Sequence, residues 1–216
     1  MMKKRQFPKT DLYCITASGY SQGRSNQEVV AEMLKAGVKI IQYREKDFSM
    51  QQKYRECMAL KKLCAQYDAC FIVNDDVALA MAVNADGVHL GQDDMPVDVA
   101  RKLVGDKMII GLSTHSPQQV DEAVGLDIDY IGVGPLYFTE TKVDVCAPVG
   151  LEYLDYVVKH HHVPFVAIGG IKKGVVADVV RHGASCVALV TEIVGADNIG
   201  GMISDIRAQI FGAGTV

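Results

Sequence analysis

No apolar run in the chain approaches the ~20 residues that a membrane-spanning helix needs. The basic start, Met1-Met2-Lys3-Lys4-Arg5, is not followed by the apolar segment of roughly 7–15 residues that marks a secretory signal. There is no long run of lysine and arginine, and the formal net charge is −4. Capture of nucleic acid by a general positive field is therefore excluded, and any anion site must come from a local cluster. No pair among Cys14, Cys57, Cys64, Cys70, Cys146 and Cys186 has C-x-x-C spacing. Several sit in apolar runs, so they are expected to be small core residues in a reducing cytoplasm, without disulfide or metal roles. His160-His161-His162 is expected to be a solvated helix end, because adjacent helical residues point in different directions.

Apolar strands and amphipathic helices alternate along all 216 residues, about half of them hydrophobic. That is enough for one large core. Strands are predicted at 12–15, 39–43, 70–73, 87–90, 108–112, 130–133, 164–168 and 186–190. Helices are predicted at 27–35, 50–66, 77–83, 96–103, 151–159, 175–181 and 199–210, with one more opening at Ser116-Pro117. No composition break divides them. Continuous apolar strands separated by helices imply a parallel sheet covered on its outer face. Units recurring about every 25 residues predict an α/β fold, a closed (β/α)8 TIM barrel over 1–216 with residues 1–10 as an N-terminal extension. The alternative is an open flavodoxin-like or Rossmann sheet. It needs fewer strands, and no G-x-G-x-x-G opens the first helix.

In such barrels the loops leaving the strand C-termini form the active face. Here those ends are rich in polar groups. The second strand ends in Gln42, Tyr43, Arg44, Glu45 and Lys46, and the third in Asn74 and Asp75. The fourth leads to Gln92, Asp93 and Asp94, and the fifth to Ser113, Thr114 and His115. After the sixth, Gly134-Pro135 breaks regular pairing, and Thr139, Thr141 and Lys142 follow. The last two lead to Gly169-Gly170 and to Val190-Thr191.

The chemistry sorts by charge. Arg44 can grip two phosphate oxygens, while Lys46 and Lys142 supply point charge. Asp75 and Asp94 are hard oxygen ligands suited to Mg²⁺ on a diphosphate. Spacing alone leaves Asp93 as a rival ligand, a helix cap as the other role for Asp75, and a turn before Met95-Pro96 as the other role for Asp94. Gly169-Gly170, with Val190-Thr191, falls where barrels often hold a monophosphate. Two anion sub-sites suggest one diphosphate-bearing substrate and one phosphate-bearing substrate.

These residues resemble the thiamine-phosphate synthase family over nearly the whole chain. The markers are Gln42-Tyr43-Arg44-Glu45-Lys46, Val73-Asn74-Asp75, Gly87-Val88-His89-Leu90-Gly91-Gln92 with Asp94, and Ile110-Gly111-Leu112-Ser113. They continue through Gly132-Val133-Gly134-Pro135, Thr139, Thr141, Lys142 and Ala167-Ile168-Gly169-Gly170-Ile171. The resemblance implies a transferase joining hydroxymethylpyrimidine diphosphate to a thiazole phosphate with release of pyrophosphate. It implies that Gln42 to Lys46, Asn74, Ser113 and Lys142 hold the pyrimidine diphosphate, with Arg44, Lys46, Ser113 and Lys142 acting in catalysis. It gives Mg²⁺ to Asp75 and Asp94, and the thiazole phosphate to Thr139, Thr141, Gly170, Val190 and Thr191. No nucleic-acid or membrane partner is implied, and self-association is left open.

Three positions depart from the family pattern. Asp76 stands where arginine is common and adds negative charge near the metal. Phe138 replaces a common proline and is expected to loosen its loop. Thr191-Glu192 replaces a commoner Ser-Ala pair, so Glu192 either faces away as a helix-start residue or weakens phosphate binding. Two other activities fit the same barrel: a thiazole tautomerase with His115 moving the proton, and a non-catalytic sensor of phosphate ligands. The segment from Lys142 to about Gly150 is expected to close over the reactants.

Overall fold

The computed structural model describes residues 6–139, 141 and 146–214. Its parallel strands are β1 (Leu12–Ile15), β2 (Ile40–Tyr43), β3 (Cys70–Asn74), β4 (Gly87–Leu90), β5 (Ile109–Thr114), β6 (Tyr130–Val133), β7 (Phe165–Ala167) and β8 (Val187–Leu189). Each pairs with the next in chain order, and β8 returns to β1 through Leu12↔Val187 and Tyr13↔Ala188. The sheet is thus a closed (β/α)8 barrel, as the repeating pattern predicts. The helices are α1 (Asn26–Lys35), α2 (Met50–Gln66), α3 (Val77–Ala82), α4 (Val97–Val104), α5 (Pro117–Ala123), α6 (Gly150–His160), α7 (Val176–Arg181), α8 (Thr191–Val194) and α9 (Ile199–Ala213).

Local chemistry sets the helix starts. Ser25 and Glu28 form a reciprocal capping box on α1. Ser49, Asp76, Ser116 and Asn198 each accept a backbone N–H at the start of α2, α3, α5 and α9. Three elements were not legible in the pattern: the four-residue α8 and two 3₁₀ turns, at Ser18–Tyr20 and Gly105–Lys107. All three are too short to show a period. β5 also runs two residues past its apolar stretch. Thr114 donates to the Gly132 carbonyl (2.9 Å) and Ser113 bonds His89 (2.9 Å), so polar side chains continue the strand without losing hydrogen bonds.

Strand residues alternate between two cores. Leu12 and Cys14 join the large outer cluster beneath the helices, whereas Tyr13 and Ile15 face the barrel interior with Ile40, Ile72, Ile109 and Tyr130. Phe7 stacks on Tyr130 with ring centroids 4.1 Å apart, so the segment before β1 packs into that interior cluster. Cys14, Cys57, Cys64 and Cys186 are buried free thiols as expected, but Cys146 is exposed. The histidine run is more engaged than a solvated end. His161 bonds Asp121 (2.9 Å), which also accepts from Tyr156, and this joins α6 to α5. Among the described residues, no helix is long and apolar enough to cross a membrane.

Candidate active site

The ends of β2 and β3 open into a cavity of about 400 Å³. Arg44, Lys46, Lys53, Asn74 and Asp75 line it. Arg44 is set by its backbone, whose N–H donates to the buried Thr16 hydroxyl (2.8 Å). Glu45 also borders the cavity, yet its carboxylate accepts the Ser18 N–H (2.9 Å) and hydroxyl (2.7 Å). It ties the loop after β1 to the loop after β2. The Tyr43 ring lies in the outer core, and its hydroxyl donates to Glu56 (3.0 Å).

Lys53 was not singled out from the sequence. Its ammonium donates to the Lys46 carbonyl (3.1 Å), which adds a cation beside Arg44 and Lys46. A signal was available. Lys53 lies one turn into α2, where the positive end of the helix dipole disfavours a cation unless an anion is near.

At the end of β3 two adjacent aspartates divide the work. Asp76 accepts the Leu79 N–H (2.8 Å) and is the cap of α3. The charge expected near the metal is therefore engaged in starting a helix. Asp75 has φ 62°, a left-handed conformation that costs an L-residue about 1–2 kcal/mol. Its N–H donates to the His89 carbonyl (2.8 Å), which sets the Asp75 turn against the end of β4. The loop after β4 brings Asp94, half-buried, with Oδ2 accepting the Gly91 N–H (2.6 Å). The turn role is real and occupies one oxygen. Asp93 is exposed.

Among the described residues, no group of three or more His, Cys, Asp or Glu is arranged to hold a metal alone. Two carboxylates on neighbouring strand ends do fit Mg²⁺, which takes one or two carboxylates and completes its shell with water and substrate phosphate.

On the opposite side of the mouth, the chain after the cis Gly134–Pro135 bond pairs with the loop after β7. Leu136 N–H donates to the Ile168 carbonyl (3.0 Å) and Tyr137 N–H to the Gly169 carbonyl (2.9 Å). Gly170 has φ 65°, and a Cβ there would lie 2.8 Å from the Tyr137 carbonyl carbon and overlap the Phe138 oxygen. Only glycine allows that approach. Beyond it, Thr139 and Thr141 place their hydroxyls 3.1 Å apart. Val190 precedes α8 and Thr191 opens it. Glu192 accepts the Lys173 N–H (3.3 Å), so it faces the loop after β7 and holds that loop to α8. The Phe138 ring is exposed. Lys142 and the first part of the segment expected to close over the site, residues 142–145, lie outside the described residues.

His115 is locked at the end of β5. Its N–H donates to Gln119 (2.7 Å), and its Nδ1 lies 2.5 Å from the Gly134 carbonyl.

Between the two sides runs a chain of polar groups, buried at Gln42, Tyr13 and Tyr130 and half-buried at His89 and Ser113. Gln42 Nε2 donates to the Tyr13 hydroxyl (2.8 Å), which bonds the Tyr130 hydroxyl (2.9 Å). Tyr130 bonds His89 Nδ1 (2.8 Å), and His89 Nε2 bonds the Ser113 hydroxyl (2.9 Å). Burial pushes both tyrosine hydroxyls far above their usual ionisation range, so they stay neutral. Gly111 makes room for the chain, because a Cβ there would overlap the Tyr130 ring and lie 2.6 Å from His89 Nδ1. Tyr13, Tyr130 and His89 were not identified from the sequence, where they sit inside apolar strands. Their signal was the phase of the alternation, which turns each of them inward with Gln42 and Ser113.

Comparison with known proteins points to one family. The model of the family described as thiamine monophosphate synthase matches residues 12–193. A thiamine-phosphate synthase from Pelotomaculum thermopropionicum is 59% identical over 202 residues, covering 94% of this chain and 93% of that one. Another, from Lawsonia intracellularis, is 56% identical over 205 residues, covering 95% and 94%. The solved structure of a thiamine phosphate pyrophosphorylase from Pyrococcus furiosus superposes with a TM-score of 0.86 at 34% identity, covering 95% and 97%.

Proposed function

The chain belongs to the thiamine monophosphate synthase family, and from that premise we propose how its barrel mouth divides the work. The activity is that of a thiamine-phosphate synthase, a transferase. It joins 4-amino-5-hydroxymethyl-2-methylpyrimidine diphosphate to 4-methyl-5-(2-phosphoethyl)thiazole, giving thiamine phosphate and pyrophosphate.

The observation that carries the division is the cavity shared by Arg44, Lys46, Asn74 and Asp75, set across the mouth from Thr139, Thr141 and Gly170. Arg44, Lys46 and Lys53 receive the diphosphate, with Lys142 added from the loop after β6. Asn74 and Ser113 donate hydrogen bonds to the pyrimidine diphosphate, and Gln42 binds its ring. Tyr43 and Glu45 contribute backbone and loop position. Thr139, Thr141, Gly170, Val190 and Thr191 hold the thiazole phosphate through hydroxyl and N–H donors.

Asp75 and Asp94 are the residues that would hold Mg²⁺. When bound, that ion supplies positive charge against the diphosphate and favours its departure. The bond from the exocyclic CH₂ to oxygen breaks, and its electron pair leaves with pyrophosphate. The aminopyrimidine spreads the positive charge left on carbon. The thiazole nitrogen lone pair then forms the new C–N bond. No covalent nucleophile on the protein is needed. Arg44, Lys46 and Lys142 offset the charge that develops on the leaving oxygens, and the two sub-sites hold carbon and nitrogen in line.

The test is to incubate the protein with both substrates, with and without Mg²⁺, and to measure pyrophosphate. Release that needs both substrates and Mg²⁺ supports the reading. Isomerisation of a thiazole without pyrophosphate, or binding without turnover, overturns it.

A further inference from the structure

We propose that Tyr13, Tyr130 and His89 are positioning residues that make the buried chain one-way, fixing Ser113 as a hydrogen-bond donor and Gln42 as an acceptor toward substrate. The proposal rests on the reading above, in that the substrate carries an amino group at one end and a diphosphate at the other.

With the Gln42 amide nitrogen facing Tyr13, proton counting gives the direction. An amide nitrogen can only donate, so Gln42 Nε2 makes the Tyr13 oxygen an acceptor at 2.8 Å. A neutral phenol has one hydrogen. Tyr13 must spend it on its other partner, Tyr130, at 2.9 Å. Tyr130 then points its own hydrogen at His89 Nδ1, 2.8 Å away. A neutral imidazole whose Nδ1 accepts carries its hydrogen on Nε2, and that nitrogen donates to Ser113 at 2.9 Å. The Ser113 hydroxyl is thereby supplied with a donor, and its own hydrogen is left for the mouth. At the far end, the Gln42 side-chain oxygen, Oε1, makes no hydrogen bond within the described residues. No fully buried side-chain oxygen or nitrogen among them lacks a partner, so this atom of the buried Gln42 keeps a small exposed face.

The reverse order uses the same distances. It would turn the Gln42 NH₂ outward, place the His89 hydrogen on Nδ1, and commit the Ser113 hydrogen to His89. Ser113 would then offer only lone pairs to a diphosphate, and Gln42 only hydrogens to an amino group. Both ends would repel the substrate. The forward order meets both, and each bond polarises the next in the same direction. The four inner bonds hold this order before substrate arrives, so no proton needs rearranging at the moment of reaction.

The first measurement needs no activity. Nitrogen-15 NMR of histidine-labelled protein, with His89 assigned by its loss in His89→Asn, reads the tautomer directly. A bare Nδ1 with a protonated Nε2 is expected. A ring protonated at Nδ1, alone or with Nε2, overturns the proposal even if the enzyme is an active synthase. A silent enzyme with the expected tautomer overturns the function and leaves the chain standing.

The second measurement uses Tyr130→Phe and Tyr13→Phe, which keep the rings packed and remove one hydroxyl each. Tyr130→Phe is expected to lower kcat by about tenfold, the scale of one hydrogen bond, with KM for the thiazole phosphate unchanged. Tyr13→Phe releases the Gln42 amide to rotate. Its preference for a 4-amino over a 4-oxo pyrimidine monophosphate, measured as competitive inhibitors, is expected to fall by about tenfold. Wild-type kcat in the first variant together with an unchanged inhibitor preference in the second refutes the positioning role.

Discussion

Replacing Gly111 with alanine adds one methyl group at the most crowded point of the barrel interior. The Cβ would fall 2.6 Å from His89 Nδ1 and would overlap the Tyr130 ring. Gly111 does not need a left-handed backbone, so alanine brings no dihedral strain, and reduced unfolded-state entropy favours it by about 0.4–1 kcal/mol. Against this stands overpacking, which costs about 1–3 kcal/mol. Moving Tyr130 aside also breaks the bond between its buried hydroxyl and the half-buried His89, about 1–3 kcal/mol more. The net expectation is a loss of roughly 2–5 kcal/mol, the sterics outweighing the entropy. For a chain of this size that is a fall in Tm of about 5–15 °C by calorimetry. A second substitution isolates the cause. Tyr130→Leu in the wild-type background removes packing and two hydrogen bonds, but in Gly111→Ala it also relieves the clash, so the double variant should be less destabilised than the sum of the singles. A Tm within 2 °C of wild type for Gly111→Ala, or strict additivity in the cycle, would show that the interior is not packed as described.

Asp75→Asn removes a negative charge from the cavity without changing shape, and should lower kcat by at least about a hundredfold while leaving Tm within a few degrees; a Tm loss that accounts for the lost activity refutes its placement in the site. Lys53→Met should raise KM for the pyrimidine diphosphate by about threefold to tenfold, with a smaller effect at high salt, and an unchanged KM at low ionic strength would remove Lys53 from the diphosphate cluster. Glu45→Ala severs the tie to Ser18, so urea denaturation should show a loss of about 2 kcal/mol, and an unchanged urea midpoint would exclude a structural role. Burial pushes the Asp11 carboxyl up, but Arg207, donating from Nε at 2.6 Å, outweighs it and holds the pKa below the ordinary 3.8. A depressed carboxylate pKa stabilises the fold above the unfolded value and loses that contribution as pH drops below it. Wild type should therefore lose stability as pH falls below about 4 more steeply than Arg207→Met, and parallel acid-denaturation curves would deny the pair that role.

The barrel was legible because each strand is a short apolar run and five of the helix starts, those of α1, α2, α3, α5 and α9, carry a side-chain cap. Gly87–Leu90, Tyr130–Val133 and Met50–Gln66 fall where periodicity places them. Misses came where the signal was local or three-dimensional. Asp75 and Asp76 are equivalent by type and adjacent in sequence, and only the backbone turn at Asp75 decides which one caps α3. Glu192 could not be placed because its partner, the Lys173 N–H, belongs to another loop. Ser113 was found because it ends an apolar run, whereas His89, inside one, was passed over.

That omission bears on how the barrel uses its interior. The lower inward positions are apolar, with Ile40, Ile72, Ile109 and Val166 filling space. Above them, Gln42, His89 and Ser113 are joined through Tyr13 and Tyr130, and each has a partner. A half-satisfied polar layer in such a place would be worse than an apolar one, because each orphaned group keeps its full desolvation penalty. An apolar layer of the same shape would be as stable, yet it would leave Ser113 free to rotate and Gln42 free to flip. Stability therefore does not account for a complete chain of five groups. Fixed donor and acceptor ends do, and they matter most in a site whose residues supply no covalent step and act through position and charge. The same reasoning explains why Gly111 is glycine: the space it leaves belongs to a hydrogen bond, and any side chain there would trade orientation for packing.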